Sequence, residues 1–209
     1  REEKIAQQQR EIDQKKEKLA PFKIYKGIES DILSDGSLYY ASDVLASFDF
    51  IIASVHSNLK MTEEKAMSRL LKAIENPYTT ILGHPTGRLL LSRAGYPIDH
   101  RKIIDACADN KVVIELKASP YRLDIDWRWI DYCMERGVPI AINPDAHSIT
   151  GIEDVRFGVY VAPLQGAQVR RLLTNPHHAL KPAPLLRFTR RALAHDTTVD
   201  RLCEHGHCC

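Results

Sequence analysis

Five side chains in this sequence are of types that bind divalent cations and activate water: Glu29, His56, His84, Asp145 and His147. They are far apart in the chain, yet each stands just beyond a short apolar run. Glu29 follows FKIYKGI, His56 follows FIIASV, His84 follows TTILG, and Asp145 and His147 follow PIAINP. In parallel α/β folds the carboxyl ends of the strands share one face, so residues placed there converge. A mixed set of imidazoles and carboxylates suits Zn²⁺, Mn²⁺ or Fe²⁺. The set contains no cysteine, which argues against a structural zinc site. A carboxylate such as Glu29 can bridge two cations, and such a cluster activates water near neutral pH and clamps phosphoryl oxygens during in-line attack. Each residue alone also has a plain structural reading. A lone histidine after a strand is commonly a hydrogen-bonded scaffold residue, Asp145 could cap the turn before Ser148, and Glu29 could pair with Lys26 or Lys60. The coincidence of all five at run ends favours a shared metal site.

The elements that must position them alternate between short apolar runs and amphipathic stretches. Strands are expected at 22–28, 48–54, 79–83, 111–116, 138–142 and 157–161, the last from the β-branched and aromatic content of FGVYV. A turn is expected around Ser34, Asp35 and Gly36. Thr62 caps a helix running to about Glu75, with Met67, Leu70, Leu71 and Ile74 on one face. Asp99 caps a second helix with Ile103, Ile104 and Cys107 inward, and a third, from about 126 to 135, ends at Gly137. Residues 1–20 are charged and Gln-rich, with Ile5, Ile12 and Leu19 seven apart; they read as a docked helix with a narrow apolar seam, ended by Pro21. The alternation predicts an α/β domain with a mostly parallel sheet or barrel.

Composition sets bounds. With 209 residues, 44% hydrophobic and 27% charged, the chain suits one globular domain, and its net charge of +2 carries no argument for nucleic-acid binding. No apolar run is long enough to span a membrane, and the charged start is not a signal peptide. Cys107 and Cys133 sit in helical patterns as expected buried free thiols, so a reducing cytoplasm is the default setting. After residue 162 the rhythm stops. The tail holds seven Lys or Arg against three Asp or Glu, and five of the nine histidines. It is expected to be a poorly ordered tail, with a basic DNA-binding tail as the rival. Its ending, CEHGHCC, has ligand residue types in a spacing that matches no closed zinc site.

The strings KGIESDIL, ASVHS, NPYTTILGHPTGRLL, PYRLDI, INPDAHS and GIEDVRFGV resemble, in order and spacing, the later motifs of the PHP (polymerase and histidinol phosphatase) domain that follows the polymerase core in bacterial and archaeal family X DNA polymerases. The resemblance covers roughly residues 1–161; GHPTGRLL and the PYRLD run favour the polymerase-linked group over stand-alone histidinol phosphatases. It implies a distorted β/α barrel holding up to three metal ions, usually zinc or manganese, ligated here by Glu29, His56, His84, Asp145 and His147. It further implies phosphoester hydrolysis, including 3′→5′ exonuclease and 3′-end trimming in DNA repair. Glu29, His56 and Asp145 are the expected catalytic residues, DNA 3′ ends the expected partner, and a polymerase core is expected upstream in a parent protein. Arg88 and Arg122 are candidate phosphate contacts, since guanidinium forks match phosphate oxygens, with a structural salt bridge as the equal alternative for each. Trp127 and Trp129 read as packing residues, and Ser54 and Tyr121, though near the site in sequence, are assigned no role.

The sequence departs from that pattern in three places. The opening His-x-His segment expected before Glu29 is absent, and residues 1–28 contain no histidine, so an incomplete barrel is expected. Lys117 stands where the family usually carries Asn; a cation there could repel a metal or hold a phosphate, while a solvated lysine is the plainer reading. The tail, 163–209, resembles a shifted-frame product more than the family's basic helical ending. The expected domain is therefore a partial metal-dependent phosphoesterase over 1–162, impaired by its missing ligands. The rivals are a histidinol-phosphatase-like enzyme acting on small molecules and an inactive structural or DNA-positioning module.

Overall fold

The computed structural model describes residues 2–162 and a short strand at 172–173. Expectations for the rest of the tail, including CEHGHCC, lie outside the described residues. The elements run α1 (Glu2–Lys18), β1 (Gly27–Asp31), α2 (Ser42–Ala46), β2 (Phe50–Ser54), α3 (Glu63–Ile74), β3 (Ile81–Leu82), α4 (His100–Asn110), β4 (Val113–Lys117), α5 (Ile130–Glu135), β5 (Ile140–Asn143), α6 (Val155–Val161) and β6 (Leu172–Leu173). All six strands join one sheet in sequence order, and every pairing is parallel. This is an α/β fold with the strand order of a distorted β/α barrel, and it is open: β1 and β6 are its edges.

Burial explains the central elements. Every residue of β4 is buried, Glu115 and Lys117 included, as in a strand covered on both faces. In α3 the Thr62 hydroxyl accepts from Lys65 N–H, and Leu70 and Ile74 are sealed in the core. In α4 the Asp99 carboxylate accepts from Lys102 N–H, and Ile103, Ile104 and Cys107 point inward. Cys107 and Cys133 are buried free thiols, as expected. Helix α1 is tied on by polar contacts: Gln9 donates to Ser47 Oγ at 2.9 Å, and Asp13 and Lys26 pair at 2.7 Å. No helix among the described residues is long and apolar enough to cross a membrane.

Two expected strands are corrected. The run at 157–161 is helical, because α6 buries Gly158 and Ala162 and half-buries Val155 and Val159, a spacing of three and four that only a helix produces. Gly158 permits that contact: a Cβ there would lie 2.5 Å from Ile142 and 2.8 Å from Ala118. The first strand lies not at 22–28 but at Gly27–Asp31, so Glu29 sits within the strand rather than after it. Lys26 N–H is taken by the Asp49 carboxylate at 2.7 Å, and sheet pairing begins only at Gly27 with Phe50. The acidic GIESD segment is a poor strand former by composition, and its pairing with β2 overrides that.

One buried cation fastens the loops at the carboxyl ends of β1 and β2. Arg69, on α3 and 1% exposed, donates to the carbonyls of Ile32, Leu33 (2.8 Å) and Ser57 (3.0 Å). Removing it strands three carbonyls, each costing about 1–3 kcal/mol if left unpaired. Arg69→Met is expected to lower the unfolding free energy by about 3 kcal/mol or more in urea denaturation; a change under about 0.5 kcal/mol would contradict this role.

Candidate metal centre

Parallel pairing carries Glu29 on β1, His56 just past β2 and His84 just past β3 to one rim of the sheet. One potential ligand atom from each lies within 4.8 Å of the others. Glu29 Oε1 is 3.3 Å from His56 Nε2 and 3.9 Å from His84 Nε2, and the two imidazole centroids are 5.1 Å apart.

Local structure explains how the third strand comes so close. A Cβ at Gly83 would fall 2.1 Å from Ser54 Oγ and 2.8 Å from Ile52, so only glycine lets the end of β3 lie against β2. His84 itself sits at φ 24 and Asp145 at φ 50, left-handed conformations that non-glycine residues hold only where surrounding contacts compel them. For His84 one such contact is Glu115 on β4, whose carboxylate accepts from His84 N–H at 2.7 Å and from Asn143 Nδ2–H at 3.1 Å. His56 is oriented from its other side: Nδ1–H is donated to Asp31 Oδ1 at 2.5 Å, leaving Nε2 facing Glu29. A carboxylate behind a ligating imidazole fixes its tautomer and raises its basicity.

The electrostatics separate the two histidines. The hydrogen bond to Glu29 pushes His56 up to about 9 against the effect of burial, with Asp31 adding to the rise. Burial pushes His84 down to about 4, and the nearby Lys117 charge pushes the same way. Burial raises the Glu29 carboxyl, but the hydrogen bond from His56 and the charge of that imidazole outweigh it and hold the carboxyl at about 2. Burial pushes Glu115 up to about 7 despite its hydrogen bonds. The donor set fits a divalent cation: an ionised carboxylate, a buried neutral imidazole whose Nδ1 has no hydrogen-bond partner, and a second imidazole already backed by a carboxylate.

No family model matches the sequence. Individual proteins do. Over 171 residues the chain is 40% identical to the DNA polymerase/3′-5′ exonuclease PolX of Bacillus subtilis, covering 82% of this chain and 30% of that protein. It is 30% identical over 141 residues to a probable phosphatase of Caldanaerobacter subterraneus, covering 63% of this chain and 53% of the relative. A probable phosphatase of Shewanella frigidimarina is 23% identical over 167 residues, or 75% of this chain. The chain belongs to the PHP domain family, in its family X polymerase branch. It spans under a third of PolX and about half of the Caldanaerobacter phosphatase.

Within this PHP domain the other expected site residues are placed differently. Asp145 is ion-paired with the Lys117 ammonium instead of joining the cluster of three. His147 is 85% exposed and its Nδ1 faces the Asp145 carbonyl at 2.8 Å, outside that cluster. Arg88 is a structural clamp: its guanidinium donates to Asp126, to the Leu123 carbonyl and to the Arg122 carbonyl (2.9 Å), so all three of its nitrogens are engaged within the protein. The half-buried Arg122 makes no side-chain hydrogen bond or salt bridge among the described residues, in the loop after β4 on the site's rim. Lys117 is corrected too: it is buried, not solvated. Trp129 packs as expected, stacked on His100 at 4.7 Å, whereas Trp127 is 41% exposed. Sequence reasoning missed Asp31 and Glu115. For Glu115 a signal existed, a lone carboxylate inside the apolar run VVIEL.

A cation at this cluster must displace the His56 proton, whereas His84 is already neutral at working pH. Affinity for Mn²⁺ is therefore expected to rise about tenfold per pH unit between pH 6.5 and 8, levelling only as pH approaches the His56 value. Titrations of the chain with Mn²⁺ at several pH values check this, and a flat profile would contradict it.

Proposed function

We propose that the chain supplies a metal-dependent phosphoesterase site that hydrolyses phosphodiesters at DNA 3′ ends. The observation that carries this reading is the meeting of Glu29, within β1, with His56 and His84, just past β2 and β3, on one rim of three adjacent parallel strands. The 40% identity to a protein named as a polymerase and 3′-5′ exonuclease supports the choice of substrate, and the probable phosphatases support phosphoester hydrolysis more broadly. Glu29, His56 and His84 would hold the cation. When bound there, a zinc or manganese ion supplies Lewis acidity toward a phosphoryl oxygen and lowers the pKa of water. The residues do the rest by position. Asp31 keeps the His56 ring turned toward Glu29, Glu115 fixes the His84 backbone, and the unpaired Arg122 guanidinium is available to a phosphate oxygen.

A second reading has a specific observation behind it. The Lys117–Asp145 pair withdraws one expected ligand from cation binding, which favours a module that hydrolyses weakly and serves mainly to position DNA.

The two readings separate in one assay. With Mn²⁺ and a 3′-labelled recessed duplex, the metal-dependent site predicts nucleotide release that His84→Ala reduces by more than about 100-fold, and that exceeds release of phosphate from histidinol phosphate. No release above the His84→Ala background, with DNA binding retained, would establish the positioning role instead. Preference for histidinol phosphate would move the assignment to a small-molecule phosphatase.

A further inference from the structure

Lys117 closes β4 and its side chain is only 5% exposed. A buried lysine is uncommon without a carboxylate partner, and here the partner is Asp145, 29% exposed and held at φ 50. Glu115 lies two residues earlier on the same strand, so both side chains leave the same face of β4. The ammonium is felt at His84, where it adds to the lowering by burial, and at Glu115, where it opposes the larger upward push of burial. One positive charge is thus built in where two further carboxylates, Asp145 and Glu115, border the cluster of Glu29, His56 and His84.

We propose that the Lys117 ammonium occupies the place of a second cation, so that this rim binds a single metal ion, at Glu29, His56 and His84. The inference rests on the proposed cation site and goes beyond it by fixing its stoichiometry and naming the residue that sets it. A bound divalent ion beside Asp145 would have to displace or repel a fixed positive charge at contact distance, and the burial of that ammonium limits its screening by water. A purely stabilising role explains the arrangement less well, because a buried ion pair is commonly no more stable than apolar side chains of the same volume. A role as a phosphate hand is opposed by the commitment of Nζ to Asp145 and by its burial. Lys117 is accordingly a specificity-determining residue for metal number.

The test counts Mn²⁺ per chain by equilibrium dialysis, each value corrected with the same chain carrying Glu29→Gln, His84→Ala and Asp145→Asn. That correction removes ions held elsewhere, including by Cys203, His205, His207, Cys208 and Cys209. The wild-type chain is expected to hold one corrected ion. Lys117→Gln is expected to hold two, Lys117→Arg one, and Lys117→Gln with Asp145→Asn one. Two or more corrected ions in the wild type, or one in a folded Lys117→Gln, would overturn the proposal while leaving the cation site intact. None in the wild type would remove the cation site and the proposal together. If Lys117→Gln does not fold, the wild-type count and Lys117→Arg still decide: two ions in either overturn it, one in both supports it.

Discussion

Parallel hydrogen bonding of β1 to β2 to β3, in sequence order, is the constraint on which the rest of the molecule depends. It sends three carboxyl ends to one rim and thereby turns residues 29, 56 and 84 into neighbours. The pairing is tight because Gly83 has no side chain: a single methyl group there would collide with Ser54 on the adjacent strand. Behind the strands, Arg69 holds the loops that leave β1 and β2, so the rim has a fixed backing. Apolar burial in β4, α3 and α4 supplies the mass of the core, but the geometry of the rim comes from these few close approaches.

The site has two tiers. Glu29, His56 and His84 face one another, and each imidazole is positioned by a carboxylate from elsewhere in the sheet: Asp31 for the His56 ring, Glu115 for the His84 backbone. Burial and proximity then give the imidazoles opposite tendencies, so that one is protonated and the other neutral near pH 7. Perturbed values of this kind gather at functional sites, although structural ion-pair networks produce them as well. Beyond them, Lys117 and Asp145 bring a fixed cation to the same edge, a feature with direct consequences for how much external positive charge the rim can accept.

Much of this could be read from residue order alone. The helix caps Thr62 and Asp99, the apolar faces of α3 and α4, and the buried run of β4 all follow from local chemistry. His56 and His84 were legible because strand ends in parallel folds share a face. What was not legible depends on contacts between distant segments. FGVYV has strand-forming residues, but a small-residue contact between Gly158 and Ile142 makes it a helix against β5. The first strand is expected at 22–28, and pairing with β2 shifts it to Gly27–Asp31. Arg88 has the form of a phosphate contact and is consumed by Asp126 and two carbonyls. Asp145 has the form of a ligand and meets an ammonium that sequence patterning treats as surface charge.

The central claim is that one carboxylate and two imidazoles from β1, β2 and β3 hold a cation together. X-ray absorption on the Zn²⁺-loaded chain examines that shell directly. The account predicts nitrogen and oxygen scatterers at about 2.0–2.2 Å with outer-shell features of two imidazoles, falling to one in His56→Ala. A spectrum dominated by sulfur at about 2.3 Å, or one unchanged by His56→Ala, would contradict it.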